Sequence, residues 1–69
     1  MSEIARRYTG NYYIVIEDEG IFRQGQRCYI FSEQGAYVWA VFEKPVIGTI
    51  SEVKVPVEKI NDARVFQKL

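Results

Sequence analysis

Short apolar runs recur along this chain, separated by glycine and charged residues at intervals of about ten, the spacing of small all-β domains. Five of the runs read as strands. Residues 12–16, YYIVI, are aromatic and β-branched throughout and form the first. Residues 27–32 and 36–43 form the second and third, on either side of a turn that contains Gly35. Lys44-Pro45 ends the third, because proline cannot donate to the ladder. Residues 48–55, GTISEVKV, carry Val53 and Val55 two apart and form the fourth. PVEKIND, 56–62, opens on proline and mixes acidic with basic residues, as a short helical turn does. Residues 63–68, with Val65 and Phe66, form a last short strand. Between the first two strands EDEGIFRQGQ, 17–26, reads as a long loop pinned in its middle by Ile21 and Phe22. A helical reading fails because β-branched and aromatic residues crowd the apolar runs. The pattern therefore predicts an all-β fold, a small five-stranded barrel or sandwich with a short helical turn before the last strand. Residues 1–10 read as an N-terminal arm with little structure of its own, and 11–69 as a single domain.

The stretch RCYIFSEQGAYVWAVF, 27–42, is apolar on both faces, where a half-buried strand alternates apolar with polar. Its turn sets which face is the core. A three-residue loop, Glu33-Gln34-Gly35, places glycine at the left-handed position such loops require. That loop predicts Phe31 opposite Tyr37, Ile30 opposite Val38, Tyr29 opposite Trp39 and Cys28 opposite Ala40. One face then holds Cys28, Ile30, Val38, Ala40 and Phe42, small and mostly aliphatic, and is expected to be the core. The other holds Tyr29, Phe31, Tyr37, Trp39 and Val41 and is expected to lie outside it.

Composition narrows the function. The chain has 69 residues, enough for one small core and no deep cleft. Nine basic and nine acidic side chains cancel, which weakens the case for a nucleic-acid partner, since phosphate neutralisation supplies most of that affinity. The single cysteine, Cys28, has no partner for an internal disulfide, and without histidine it builds no zinc site. Small secreted domains usually carry several disulfides, so a reducing compartment, the cytoplasm, is expected. MSEIARRYTG has no apolar signal-peptide core and no run approaches a membrane span. Catalysis finds no support: there is no histidine, phosphate-binding glycine loop or nucleophile elbow. We therefore expect no enzyme, no cofactor, no metal and no small-molecule substrate.

FRQGQRCYIF, 22–31, resembles the diverging-turn and second-strand region of Src-homology-3 (SH3) domains: an aromatic, two residues, glycine, then a strand with alternating core residues. The glycine-to-alanine spacing in GAYVWA, 35–40, looks like that family's third strand, with Ala40 in the core. Val55-Pro56 followed by Ile60 looks like its fourth strand, proline and short helical turn. The similarity spans about residues 22–60 and implies an SH3-like barrel. In that family proline-rich peptides dock on an aromatic groove. Tyr37 matches the groove tryptophan and Pro56 the groove proline, while Lys59 stands where the family has a tyrosine and YYIVIED replaces its first-strand tyrosine motif. Fold alone does not carry the ligand across.

The expected function is that of a non-enzymatic protein-binding module. Tyr29, Phe31, Tyr37 and Trp39 form the candidate surface, because tyrosine and tryptophan concentrate at interface hot spots and tolerate partial exposure. The partner is a larger protein or a second copy of the chain. The competing structural reading is that these aromatics are cross-strand pairs, partly covered by the N-terminal arm or by Phe66. The alternative function is RNA or DNA binding through Arg6, Arg7, Arg23 and Arg27, with bases stacked on Tyr29 or Trp39. Glu17, Asp18 and Glu19 read as a solvated loop, with a basic partner as the other reading. Cys28 is expected in the core, acting as a small hydrophobe. So small a domain suits an accessory subunit, or an inhibitor encoded by a virus or mobile element.

Overall fold

The structure, a computed structural model, describes residues 8–69. The chain is all-β. Its strands are β1 Tyr12–Val15, β2 Arg27–Gln34, β3 Tyr37–Phe42, β4 Glu52–Pro56 and β5 Phe66–Lys68, with one short helix, α1 Val57–Ile60, before the last strand. They form one five-stranded antiparallel sheet in the order β4-β3-β2-β1-β5, compatible with a small barrel. Among the described residues no helix is long and apolar enough to cross a membrane.

The inner face follows the alternation in the sequence. Tyr13 and Val15 of β1, Cys28 and Ile30 of β2, Val38, Ala40 and Phe42 of β3, and Val55 of β4 are all buried. All five residues assigned to the core face of the central hairpin lie there. Phe22 reaches in from the long loop and stacks on Phe42 at 5.7 Å between ring centroids, and Phe66 meets Phe22 edge-on at 5.2 Å. Phe66 is thus a core residue and does not cover the outer face. Ile60 and Val65, from the segment between β4 and β5, join the same core. Ile21, expected to pin the loop alongside Phe22, is exposed.

The hairpin register differs from the expected one. Gln34 pairs with Tyr37, Glu33 with Val38 and Ser32 with Trp39; beyond a bulge at Phe31, Ile30 pairs with Ala40, Tyr29 with Val41 and Cys28 with Phe42. The loop has two residues, Gly35-Ala36. Gly35 has φ +62°, and among the described residues no non-glycine residue has positive φ. Positive φ at the first central position alone is the type II′ pattern, whose twist suits a two-residue hairpin. The core face survives because the ladder below the bulge is displaced by two residues. A shift of two preserves which side each residue faces, whereas a shift of one reverses it. Phe31 is the extra residue that absorbs the odd step.

Two other boundaries moved. The fourth strand starts at Glu52 because Ile47 and Ile50 form their own bridge around Gly48, with Val46 N–H donating to the Ile50 carbonyl at 2.7 Å. The end of the expected arm belongs to the fold. Tyr8 is buried, and its hydroxyl accepts from Asn61 Nδ2 at 2.8 Å. The Tyr8 and Thr9 amides donate to Glu33 Oε1 at 2.9 and 2.8 Å, and the Gly10 amide to the Ile30 carbonyl at 2.8 Å. Glu33 reaches them because its pairing with Val38 puts it on the inner side at the mouth of the sheet. The rest of the arm lies outside the described residues.

Candidate protein-binding face

The outer face is built from the odd members of β3 and the even members of β1 and β4. Tyr37, Trp39 and Val41 alternate with the buried Val38, Ala40 and Phe42. Across from them stand Pro56, Lys54 and Glu52 on β4. On the other side Val41 pairs with Tyr29, and Tyr29 with Tyr12. The row Glu52–Val41–Tyr29–Tyr12 therefore crosses four strands. Tyr12 and Tyr29 form a non-hydrogen-bonded pair, the closer of the two antiparallel kinds, and their rings lie 4.9 Å apart.

All four aromatics expected on this surface are outside the core. Phe31 and Tyr37 are 41% and 43% exposed, while Tyr29 and Trp39 are partly buried by their neighbours. Trp39 donates from Nε1 to Gln34 Oε1 at 3.3 Å. Two members were not anticipated. Tyr12 is the most exposed of the aromatics at 56%. The alternation Tyr12, Ile14, Ile16 against Tyr13, Val15 carried that signal. Lys54 holds its ammonium 4.9 Å from the Tyr37 ring and 6.0 Å from the Trp39 ring, within the range of a cation–π contact. Its register opposite Trp39 became readable only once β4 was placed.

At one end of this face lies a shallow groove lined by Gly35, Ala36, Tyr37, Pro56, Val57 and Glu58. It brings together Tyr37 and Pro56, the two residues that match the SH3 groove, as cross-strand partners. Lys59, at the family's tyrosine position, instead makes an ion pair with Glu19 at 2.7 Å. That contact ties α1 to the long loop and engages one of the three carboxylates read as a solvated loop, with a basic partner as the other reading. A second, Asp18, accepts the Gln24 amide at 2.8 Å.

Two of the four candidate arginines fall among the described residues. Arg6 and Arg7 lie outside the described residues. Arg23 folds its guanidinium back onto its own loop, donating to the Gly20 carbonyl at 2.7 Å and the Phe22 carbonyl at 3.1 Å. Arg27 is exposed on β2, two residues from Tyr29 on the same side, and opposite Ile14.

Cys28 sits in the core, and burial pushes its thiol up to about 12. Burial thus lowers the fraction of thiolate, the form that acts as nucleophile or metal ligand. Burial also raises the Tyr13 phenol, with Tyr8, Cys28 and Glu33 adding to the effect. Among the described residues no three histidine, cysteine or acidic side chains cluster in a way that holds a metal. Compared with protein-family models, with characterised proteins and with solved structures, the chain matches none of them.

Proposed function

We propose that this chain is a non-enzymatic protein-binding module, an SH3-like barrel that docks on a larger protein through its outer aromatic face. The observation that carries the reading is the joining of Tyr12, Tyr29, Tyr37 and Trp39 across three adjacent strands on the side of the sheet opposite the core. Each has a polar tip, so the face remains compatible with water until a partner covers it. The strand order and the helix between β4 and β5 support the SH3-like assignment. A buried, unpaired thiol supports work in the cytoplasm. The Lys59–Glu19 pair argues against the proline-rich peptide mode, because a charged clasp occupies the place of an apolar groove wall.

The test is co-purification from the cell that encodes the chain, comparing wild type with Tyr12→Ser/Tyr37→Ser, at low and high salt. One stoichiometric protein, retained at high salt by wild type and lost by the variant, is the expected result. Equal recovery with both forms overturns the reading. Retention on heparin that falls steeply with salt also overturns it and favours the nucleic-acid alternative, through Arg27 beside Tyr29.

A further inference from the structure

The β4 edge presents backbone groups that no other strand among the described residues uses. Phe42 N–H donates to the Ser51 carbonyl and Val57 N–H to the Ala36 carbonyl, both at 2.8 Å. These bonds fix the phase of the β3–β4 ladder. Val53 and Val55 direct their N–H and C=O groups at β3, and Glu52 and Lys54 direct theirs away from the sheet. An edge of this kind is a template for another strand. β4 has no bulge along its length, and its proline, Pro56, stands at the end.

We infer that β4 pairs antiparallel with β4 of a second copy, about a two-fold axis through Val53. Three registers use the free groups. Centring on Glu52 sets glutamate against glutamate. Centring on Lys54 sets lysine against lysine and wastes a bond on Pro56, which has no N–H. Centring on Val53 sets Glu52 of each copy against Lys54 of the other, in two hydrogen-bonded pairs with opposite charges on one face. A two-fold interface must be self-complementary, and of the three registers only this one is.

This inference does not depend on the outer-face reading, and its test separates the two. Molar mass is measured by light scattering over a concentration series for wild type, Glu52→Lys, Lys54→Glu and the double exchange. Amide hydrogen exchange is followed on wild type. The expected result is a wild-type monomer–dimer equilibrium that weakens roughly tenfold or more in each single variant, since two pairs become like-charged. The double exchange restores it, and an equimolar mixture of the single variants forms a heterodimer. Glu52 and Lys54 amides slow with rising concentration, while Val53 and Val55 are protected throughout. A wild type that stays monomeric at about 1 mM overturns the inference. So does a dimer indifferent to these charges with fast Glu52 and Lys54 amides, which transfers self-association to another surface. The wild-type exchange data decide the matter even if a variant fails to fold.

Discussion

The protonated thiol of Cys28 makes the stability of this domain depend on alkaline pH. An ordinary thiol ionises near 9.0, and burial holds Cys28 protonated to about 12 in the folded chain. Between those values the unfolded chain has lost a proton that the folded chain keeps. Stability rises with pH where the unfolded state binds more protons, so here it falls. The contribution is complete below the unfolded value and drains away as pH climbs from 9 toward 12, at about 1.4 kcal/mol per pH unit. At pH 10.5 the loss is roughly 2 kcal/mol. A core of this size rarely supplies more than about 3–5 kcal/mol, so the loss is a large share of the total.

The assay is urea unfolding followed by Trp39 fluorescence at pH 7.5 and 10.5, on wild type and Cys28→Ala. With a urea slope of about 1 kcal/mol per molar, wild type should lose roughly 2 M of midpoint more than the variant does. Tyrosine ionisation in the unfolded state affects both proteins and cancels in the difference. The raised Tyr13 acts in the same direction; the part due to its own burial is common to both proteins, and the part that Cys28 adds disappears in the variant together with the thiol. Parallel loss in the two proteins refutes the reasoning, because it means that the native thiol ionises as freely as the unfolded one. Native Cys28 should also react with a disulfide reagent at pH 8 only as fast as the chain opens.

Two further outcomes follow from the turn and the Glu33 clip. Gly35→Ala should cost about 1–2 kcal/mol, the strain of an L residue at positive φ, while Gly35→Asn costs less; thermal melts by circular dichroism read the order, and an alanine variant as stable as wild type contradicts the type II′ turn. Glu33→Ala removes the acceptor of the Tyr8 and Thr9 amides and should cost about 1–3 kcal/mol, with faster exchange at both amides; unchanged exchange there shows that the clip holds nothing.

The side each residue faces was readable from the sequence, and the exact pairing was not. Period-two alternation survives any even displacement, so Cys28, Ile30, Val38, Ala40 and Phe42 fell on the core face although their cross-strand partners were misassigned. The error came from reading Gly35 as the end of a three-residue loop. Glycine takes left-handed φ at more than one turn position, and its identity does not say which. The bulge at Phe31 leaves no composition signal, because its effect is to allow one surplus residue. Glu33 looked like a loop carboxylate, and its role at the Tyr8 amides depends on a contact 25 residues distant in sequence. The candidate face was legible in its β2 and β3 members. Tyr12 was missed because YYIVI is apolar or aromatic at every position, so composition alone does not say which of its two sides is the inner one. Of the expected arginines, Arg23 satisfies its own loop, a local hydrogen-bond choice that charge counting does not see.

Lys54 joins the two surfaces argued for above. Its ammonium lies over Tyr37 and Trp39, and its main chain forms part of the β4 edge. Pairing Glu52 with Lys54 of a second copy keeps both side chains on the outer side of each sheet. Edge-to-edge assembly would therefore place the two aromatic faces on the same side of one continuous sheet. A partner with two copies of a recognition segment, or itself two-fold symmetric, would meet two faces at fixed spacing. The second contact is then made at high effective concentration, and overall affinity exceeds that of one face without any new contact. Lys54→Glu should accordingly weaken docking beyond its loss of the cation–π contact, while Tyr37→Ser weakens docking and leaves the β4 pairing intact. A dimer that Tyr37→Ser abolishes as completely as Lys54→Glu does would show that the outer face and the edge are one interface.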